Sequence, residues 1–154
     1  MRLARATGTF ITITCGIVVI VSVFLSWIDW GQTTYTAWNY IDASLSSNFY
    51  LLLVLVGGIL MIIFNIPTFI FTLASKGSRK AIITLNVLTM IGALLAVGGS
   101  IWFITDVKIN SLLDQMGIDV LSVISYGVWI AIAGAMIGFI FAILTSVLSK
   151  AREK

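Results

Sequence analysis

Four long apolar stretches alternate with shorter polar segments along this chain. They cover residues 7–28, 49–75, 81–105 and 123–149, and within them there is no Asp, Glu, Lys or Arg. A helix of about 20 apolar residues crosses the roughly 30 Å hydrocarbon core of a bilayer, and a segment in lipid must pair its own backbone groups. The pattern predicts an all-α membrane protein with four transmembrane helices in one domain, residues 1–154.

The composition agrees with a chain that lies mostly in lipid. Of its 154 residues, 60% are hydrophobic and 10% are charged, and its mean hydropathy is +1.12. Soluble domains carry about 25% charged residues. The pI of 9.2 does not indicate nucleic-acid binding, because the basic residues lie at the ends of the predicted spans, where membrane topology accounts for them. We predict the lipid bilayer as a partner and no nucleic acid.

The charged residues indicate the orientation of the spans, because short cytoplasmic loops are enriched in Lys and Arg. The termini together with the inner loop, residues 76–80, have a side-chain charge of +7. The outer loops, residues 29–48 and 106–122, have a charge of −4, which gives the formal net charge of +3. We therefore expect an integral protein of the cell membrane with both its N- and C-termini in the cytoplasm.

The connections between spans indicate how the helices are arranged. The inner loop is short, so spans two and three are expected to be neighbours in an antiparallel four-helix transmembrane bundle. Threonines and aromatic residues between Thr33 and Tyr40 favour extended structure and a short hairpin in the first outer loop. In the second outer loop, the capping-box pattern from Ser111 to Asp114 predicts either a short amphipathic helix on the outer membrane surface or a capped connector without a role.

Small and polar residues recur at helical spacing on one face of each span. Helices in lipid approach closely through small residues and hydrogen-bonding side chains, so these faces are expected inside the bundle, and the Gly134-x-x-x-Gly138 pair is expected in a close helix contact. The faces comprise Thr12, Cys15, Ser22 and Ser26 in span one; Asn65, Thr68, Thr72 and Ser75 in span two; Asn86, Thr89, Ala93, Ala96 and Ser100 in span three; and Gly127, Ala131, Gly134, Gly138, Ala142, Thr145 and Ser149 in span four.

Asn65, Pro67 and Thr68 interrupt the apolar pattern of span two near its middle. Pro67 has no N–H to donate to the carbonyl of Ile63, so we predict a kink, with Asn65 or Thr68 satisfying that carbonyl. Two interpretations of these residues and of Asn86 stay open. They either join helices through hydrogen bonds worth about 0.6 kcal/mol each, or they form a hinge or a binding crevice.

The chain has few residues suited to catalysis or metal binding. It has no His and one cysteine, Cys15, and His is the commonest metal ligand and a common general base. The uncharged spans argue against proton-coupled transporters, pumps and voltage sensors, which place ionisable groups at membrane depth. We predict no cofactor, no metal site and no catalytic residue. The outer-loop acids are interpreted as solvated charges, with a bridged divalent cation as the alternative: Asp29, Asp42, Asp106, Asp114 and Asp119.

All five Trp and all four Tyr fall on the predicted outer side. Aromatic belts normally occur at both membrane interfaces, and such a belt explains the residues at span ends but not those inside the first outer loop. Trp and Tyr are favoured interface anchors. We predict that this loop folds over the bundle as a lid, presents an aromatic surface to a partner, or does both. The candidate partner-binding residues are Trp27, Trp30, Tyr35, Trp38 and Tyr40.

The segment Trp27-Ile28-Asp29-Trp30-Gly31, together with Trp38, resembles the Trp-bearing first outer loop of small tetraspan proteins of the claudin-like type, whose termini are also inside. The chain lacks the Gly-Leu-Trp motif and the cysteine pair of claudins, so no junctional role follows. With Tyr126-Gly127-Val128-Trp129 at the start of span four, the chain is also similar to uncharacterised prokaryotic four-span membrane proteins. This resemblance implies a topology and little about function.

Three hypotheses for function follow. The first is a non-enzymatic accessory, scaffold or interaction subunit of a membrane assembly, which binds other membrane proteins or itself through the aromatic loop or the lipid-facing helices. The second is an oligomeric pore or small-solute channel, lined by the polar inner half of the bundle at Asn65, Thr68, Thr72, Asn86 and Thr89. The third is an enzyme or lipid-binding protein that uses the outer aspartates. A fold alone does not choose among them.

Overall fold

The computed structural model describes residues 2–43, 48–74, 78–110, 117 and 119–150. Its elements in chain order are α1 (Arg2–Ser22), β1 (Ser26–Asp29), β2 (Thr34–Thr36), α2 (Ala37–Ala43), α3 (Phe49–Ala74), α4 (Arg79–Asn110), α5 (Val120–Val123) and α6 (Tyr126–Lys150). We call the end of the bundle that carries the two strands the hairpin end. The opposite end, where α1 begins and α6 ends, is the terminal end.

Four helices are long and apolar enough to cross a membrane by length and composition. Within the described residues, these segments are Leu3–Ser22, Phe49–Ala74, Arg79–Asp106 and Tyr126–Ser149. Helix α1 packs against α3 and α6, and α4 packs against the same two helices, so the four form one closed bundle. This confirms the predicted bundle of four apolar helices.

The first helix differs from the predicted span, residues 7–28, at both of its ends. Helix α1 begins at Arg2 and ends at Ser22, where three successive backbone bonds of the i to i−3 type tighten the chain. Residues 26–29 then form β1. Trp27 and Ile28 are apolar because the core at the hairpin end buries them, with 0% and 3% of their surface exposed, and not because they continue a span.

Two other boundaries also depart from the prediction. Helix α6 begins at Tyr126 and not at residue 123, because Ile124 pairs with Ile28 in a β-bridge and the N–H of Ser125 donates to the carbonyl of Trp27 at 2.9 Å. Helix α4 continues past the predicted residue 105 to Asn110. The capping-box helix that the sequence predicts at residues 111–114 lies outside the described part of the chain.

The first outer loop contains one strand of a hairpin, β2, and in addition a short helix. The other strand, β1, comes mostly from residues that were predicted to belong to span one. Extended structure was expected as far as Tyr40, but the chain becomes helical at Ala37. Thr36 and Asn39 form a reciprocal cap: the N–H of Asn39 donates to Oγ1 of Thr36 at 3.2 Å, and the N–H of Thr36 donates to Oδ1 of Asn39 at 2.9 Å. This arrangement is a capping box with Asn at the third helical position, and it outweighs the β propensity of the neighbouring aromatic residues.

Met61 of α3 lies in the middle of the core and is fully buried. It approaches a glycine on each of the other three long helices. A Cβ on Gly16 of α1 would lie 3.1 Å from the Cβ of Met61, and a Cβ on Gly92 of α4 would lie 3.3 Å from its backbone N. The Cε of Met61 contacts Gly138 of α6. Small residues permit this close approach of helices, and the four positions define one level of the bundle.

Met61 separates two halves of the core that differ in polarity. Toward the hairpin end the buried side chains are mainly apolar, and toward the terminal end they are mainly polar, as the small and polar faces predicted. The apolar half includes Val19, Val23, Trp27, Leu51, Val54, Ala93, Ala96, Phe103, Val128, Ala131 and Ala135. The polar half includes Arg5, Thr9, Thr12, Asn65, Thr68, Thr72, Asn86, Thr89, Thr145 and Ser149.

Candidate functional site

Three aromatic side chains of the first outer loop are exposed at the hairpin end. The exposed fraction is 47% for Trp30, 42% for Tyr35 and 42% for Trp38. We call this group the aromatic surface. The fourth loop residue predicted with them is Tyr40, whose side chain lies outside the described part of the structure. The aromatic surface therefore rests on three of the five predicted residues.

The hairpin fixes Trp30 and Tyr35 in position. Tyr35 lies opposite Ile28 in the antiparallel pairing of β1 and β2, and the N–H of Trp30 donates to the carbonyl of Thr33 at 3.0 Å across the turn. Gly31 has a φ of 81°, a conformation that glycine adopts without steric cost. The turn thus has a defined geometry, and the two aromatic side chains stand on a hydrogen-bonded frame.

Trp38 stands on α2, which is attached to the end of α1. The N–H of Trp38 donates to the carbonyl of Val23 at 3.2 Å, and its ring lies 5.5 Å from that of Phe24, measured between centroids. Ala37 and Ile41, one turn apart on α2, are buried in the core. The loop therefore covers the hairpin end, as a lid would, while part of its aromatic surface stays exposed.

Trp27 was predicted as a partner-binding residue, and the structure corrects this. Its side chain is fully buried. The indole Nε1–H donates to the carbonyl of Ser22 at 2.6 Å. This carbonyl lies at the C-terminus of α1 and also accepts the N–H of Leu25 at 3.1 Å. The ring meets Phe103 edge-on, with centroids 5.0 Å apart at 77°. Trp27 is a core residue that caps α1, and no partner can reach it in this fold.

An aromatic cluster between α3 and α4 was not predicted from the sequence. The ring of Tyr50 stacks on Trp102 with centroids 5.8 Å apart, and Phe49 meets Trp102 edge-on at 5.2 Å. The hydroxyl of Tyr50 donates to Oδ2 of Asp106 at 2.6 Å, so this acid has a role within the fold beyond that of a solvated charge. These contacts depend on the pairing of two helices, and no local sequence pattern indicates them.

Asn65 joins α3 to α4. It is buried, and its Nδ2 donates to the carbonyl of Met61 and to Oγ1 of Thr89, both at 2.8 Å. One bond lies within α3 and the other crosses to α4. For Asn65, the geometry matches the helix-joining interpretation of the sequence.

Pro67 lies inside α3, which continues from Phe49 to Ala74; the kink stays a prediction. The hydroxyl of Thr68 donates to the carbonyl of Phe64 at 2.9 Å. Neither Thr68 nor Asn65 donates to the carbonyl of Ile63, so the sequence prediction for that carbonyl is wrong. Each of the two side chains donates instead to the carbonyl four residues before it, which is Phe64 for Thr68 and Met61 for Asn65.

We expect a double-mutant cycle on Asn65→Ala and Thr89→Val to give a coupling free energy of about 0.6 kcal/mol, the average for hydrogen bonds between membrane helices. The readout is the free energy of unfolding in mixed detergent and SDS micelles. As a control, Thr145→Val paired with Asn65→Ala is expected to show no coupling, because the Thr145 hydroxyl donates to Phe141 within its own helix at 2.8 Å. A coupling of zero for the first pair would contradict the bond between helices.

Asn86 differs from Asn65, although the sequence suggested the same role for both. Its exposed fraction is 0%. Among the described residues, neither Nδ2 nor Oδ1 of Asn86 has a hydrogen-bond partner, and the same holds for Nε of Arg5. Asn86 therefore does not join helices directly.

Gly134 and Gly138 lie where α6 passes α1. A Cβ on Gly134 would lie 3.3 Å from side-chain carbons of Val18 and Val19, and a Cβ on Gly138 would lie 3.2 Å from the Cβ of Cys15. Both positions permit a close approach of the two helices, in agreement with the packing role that the Gly-x-x-x-Gly spacing predicts.

The fold and the site define a class, a bundle of four apolar helices with an aromatic surface at one end. Cys15 is a free, buried thiol, and the described residues contain no group of three or more His, Cys, Asp or Glu that could hold a metal ion. Among known proteins, no family model, curated protein or solved structure matches the chain. The likeness to tetraspan proteins therefore stays a prediction from the sequence.

Proposed function

We propose that this chain is an integral protein of the cell membrane and a non-enzymatic accessory subunit, which binds another membrane protein at its aromatic surface. In this proposal it crosses the bilayer four times as an antiparallel bundle with both termini in the cytoplasm. The observation that supports binding most directly is the exposure of Trp30, Tyr35 and Trp38 on a hydrogen-bonded frame.

The proposed topology has two supports. The charge of +7 on the termini and the inner loop, against −4 on the outer loops, follows the enrichment of Lys and Arg in cytoplasmic segments. The glycine contacts also favour an antiparallel arrangement of α1 and α6, because a Cβ on Gly8 would lie 2.8 Å from Oγ1 of Thr145, whereas one on Gly134 would lie 3.3 Å from Val18. Residue numbers rise along one helix as they fall along the other.

The physical case for binding rests on preorganisation. Trp and Tyr dominate the binding energy of protein interfaces, and they lose little conformational entropy when the frame that holds them is already ordered. A belt of aromatic residues at the membrane interface accounts for side chains at the ends of spans, as at Trp102 and Trp129. Trp30 lies eight residues beyond the end of α1 in a hairpin turn, where this explanation is weaker.

The second candidate is an oligomeric pore or small-solute channel, which is favoured by one observation, the buried polar half of the bundle around Asn65, Thr68 and Thr89. Within a single chain the apolar half argues against a continuous path, because Val19 and Val54 are fully buried there. A pore would therefore have to form between copies of the chain.

The test is purification of the tagged protein from its native membrane in mild detergent, followed by mass measurement of the intact assembly. We expect one foreign membrane subunit in fixed stoichiometry. Trp30→Ala is expected to weaken that complex by about 2 kcal/mol, the threshold for a residue that dominates an interface, or about 30-fold in Kd.

The matched control for this substitution is Trp129→Ala. Trp129 is the same residue type and is equally exposed, at 49% against 47% for Trp30, but it lies at the start of α6. Its replacement is expected to leave the complex intact. Equal losses for the two variants would indicate a general effect of outer aromatic residues in lipid and would remove the docking proposal. A homo-oligomer without a foreign subunit would favour the pore.

A further inference from the structure

Asn86 is a buried amide whose hydrogen-bonding groups are unpaired within the described residues. An amide has two N–H donors and a carbonyl oxygen that accepts two bonds. Native interiors pair nearly all such groups with protein or with ordered water. Asn65, on the neighbouring helix α3, follows that rule with two protein partners. Asn86 therefore requires a partner of another kind.

Three threonines share the level of Asn86 in the bundle. Gly16, Met61, Gly92 and Gly138 meet at one level, as described above. Two turns of a helix contain about seven residues. Counting six or seven residues from each of these four positions toward the terminal end leads to one polar residue on each long helix. These four residues are 0–1% exposed, and they are Thr9, Thr68, Asn86 and Thr145.

The hydroxyl hydrogens of these threonines are already used. Each donates to a backbone carbonyl one turn earlier in its own helix, Thr9 and Thr68 at 2.9 Å and Thr145 at 2.8 Å. A hydroxyl oxygen can still accept bonds after it has donated its hydrogen. The level thus offers three acceptor oxygens together with the donor and acceptor atoms of Asn86.

We propose that this level is a binding site for at least one water molecule, which accepts a bond from Nδ2 of Asn86 and donates to the threonine oxygens or to Oδ1 of Asn86. Water fits because it both donates and accepts. At this level an anion would find N–H donors only on the Asn86 amide, because the threonine hydrogens are committed to carbonyls and Arg5 lies one turn further toward the terminal end. A cation is disfavoured by Arg5, a buried guanidinium one turn from Thr9.

The proposed site is confined to the terminal half of the bundle. Met61 closes the core above it, in contact with a glycine of each neighbouring helix, and the side chains beyond Met61 are mainly apolar. A second polar atom without a partner among the described residues, Nε of Arg5, lies on the terminal side of Thr9 and extends the same polar region. The site does not depend on the aromatic surface and goes beyond the accessory function proposed above.

The experiment measures magnetisation transfer from water to asparagine side chains in the full chain. The protein is labelled with ¹⁵N-asparagine, which gives five side-chain amides, those of Asn39, Asn48, Asn65, Asn86 and Asn110, and is studied in lipid nanodiscs. We expect the Asn86 amide to show cross-relaxation with a long-lived water molecule and the Asn65 amide to show none. Each amide signal is assigned by its loss in the corresponding single Asn→Ser variant. If Asn86→Ser does not fold, the other four variants assign the remaining signal to Asn86.

Variants of the threonines provide a second measurement. Thr68→Val and Thr145→Val remove acceptor oxygens with little change in shape, and each is expected to reduce the water signal of Asn86 at least twofold. Ser100→Ala is the control, because Ser100 is buried in the apolar half and donates to Ala96 in its own helix; it is expected to leave the signal unchanged. An Asn86 amide without a water signal, or one equal to that of Asn65, would overturn the proposal.

Discussion

Trp27→Ala is expected to lower the free energy of unfolding by about 3–5 kcal/mol, the range for truncation of a buried aromatic side chain. The substitution removes the edge-on contact with Phe103 at 5.0 Å and leaves a cavity at the hairpin end. It also removes the indole N–H that donates to the carbonyl of Ser22. That carbonyl keeps its bond from the N–H of Leu25, so this part of the loss is that of one buried hydrogen bond. The measurement is equilibrium unfolding in mixed micelles of a mild detergent and SDS, followed by circular dichroism.

Two further variants separate these contributions. Trp27→Phe loses the indole N–H and the smaller part of the aromatic side chain, so we expect a smaller loss of about 1–3 kcal/mol for one hydrogen bond and part of the packing. Trp129→Ala removes the same side chain from an exposed position and is expected to change stability by about 0.5 kcal/mol or less. Equal losses at Trp27 and Trp129 would show that Trp27 is not buried in the core.

The position of Trp27 connects the stability of the hairpin end with the proposed binding function. Its carbonyl accepts the N–H of Ser125, and its ring lies against Gly127 at the start of α6, where a Cβ would lie 2.6 Å from Cδ1 of the indole. The hairpin that positions Trp30 is thereby joined to α6 as well as to α1. A partner at the aromatic surface would bind an ordered surface, because the buried tryptophan beneath it fixes the hairpin on the bundle.

Gly57→Ala is expected to destabilise the protein by about 3 kcal/mol, the upper part of the range for overpacking of a core. A Cβ at this position would contact the carbonyl oxygen of Gly92 and would lie 2.8 Å from the backbone N of Ala96. Both contacts are with the backbone of α4, so no side chain can rotate away, and α3 and α4 would have to separate. Unfolding in mixed micelles measures the effect.

Gly98→Ala is the matched control for this substitution. Gly98 lies in α4, and a Cβ there would meet no atom within 4 Å. Alanine forms helices better than glycine by up to about 1 kcal/mol, so the control is expected to be neutral or stabilising. Gly138→Ala should fall between the two, because the atom that it meets most closely is the flexible end of Met61. A Gly57→Ala variant as stable as Gly98→Ala would contradict the close packing of α3 on α4.

The sequence by itself determined the number and character of the helices. Four uncharged apolar stretches of more than 20 residues can satisfy their backbone groups in lipid only as helices, so local composition was enough. The interior faces were also predictable, since small and polar residues such as Thr12, Ala96 and Ala131 recur at helical spacing and are buried. The extended segment Thr34–Thr36 followed from strand propensity, which is likewise local, but its pairing with Ser26–Asp29 did not.

The tertiary structure decided what individual residues do, because their roles depend on partners distant in the chain. Trp27 has the sequence character of an interface residue, but it is buried because Phe103 and the end of α1 surround it. Asn65 and Asn86 look alike in the sequence, yet only Asn65 meets a hydroxyl on a neighbouring helix. Hydrophobic pattern specifies that a helix forms and which face it buries, whereas the pairing and register of helices determine which side chains meet.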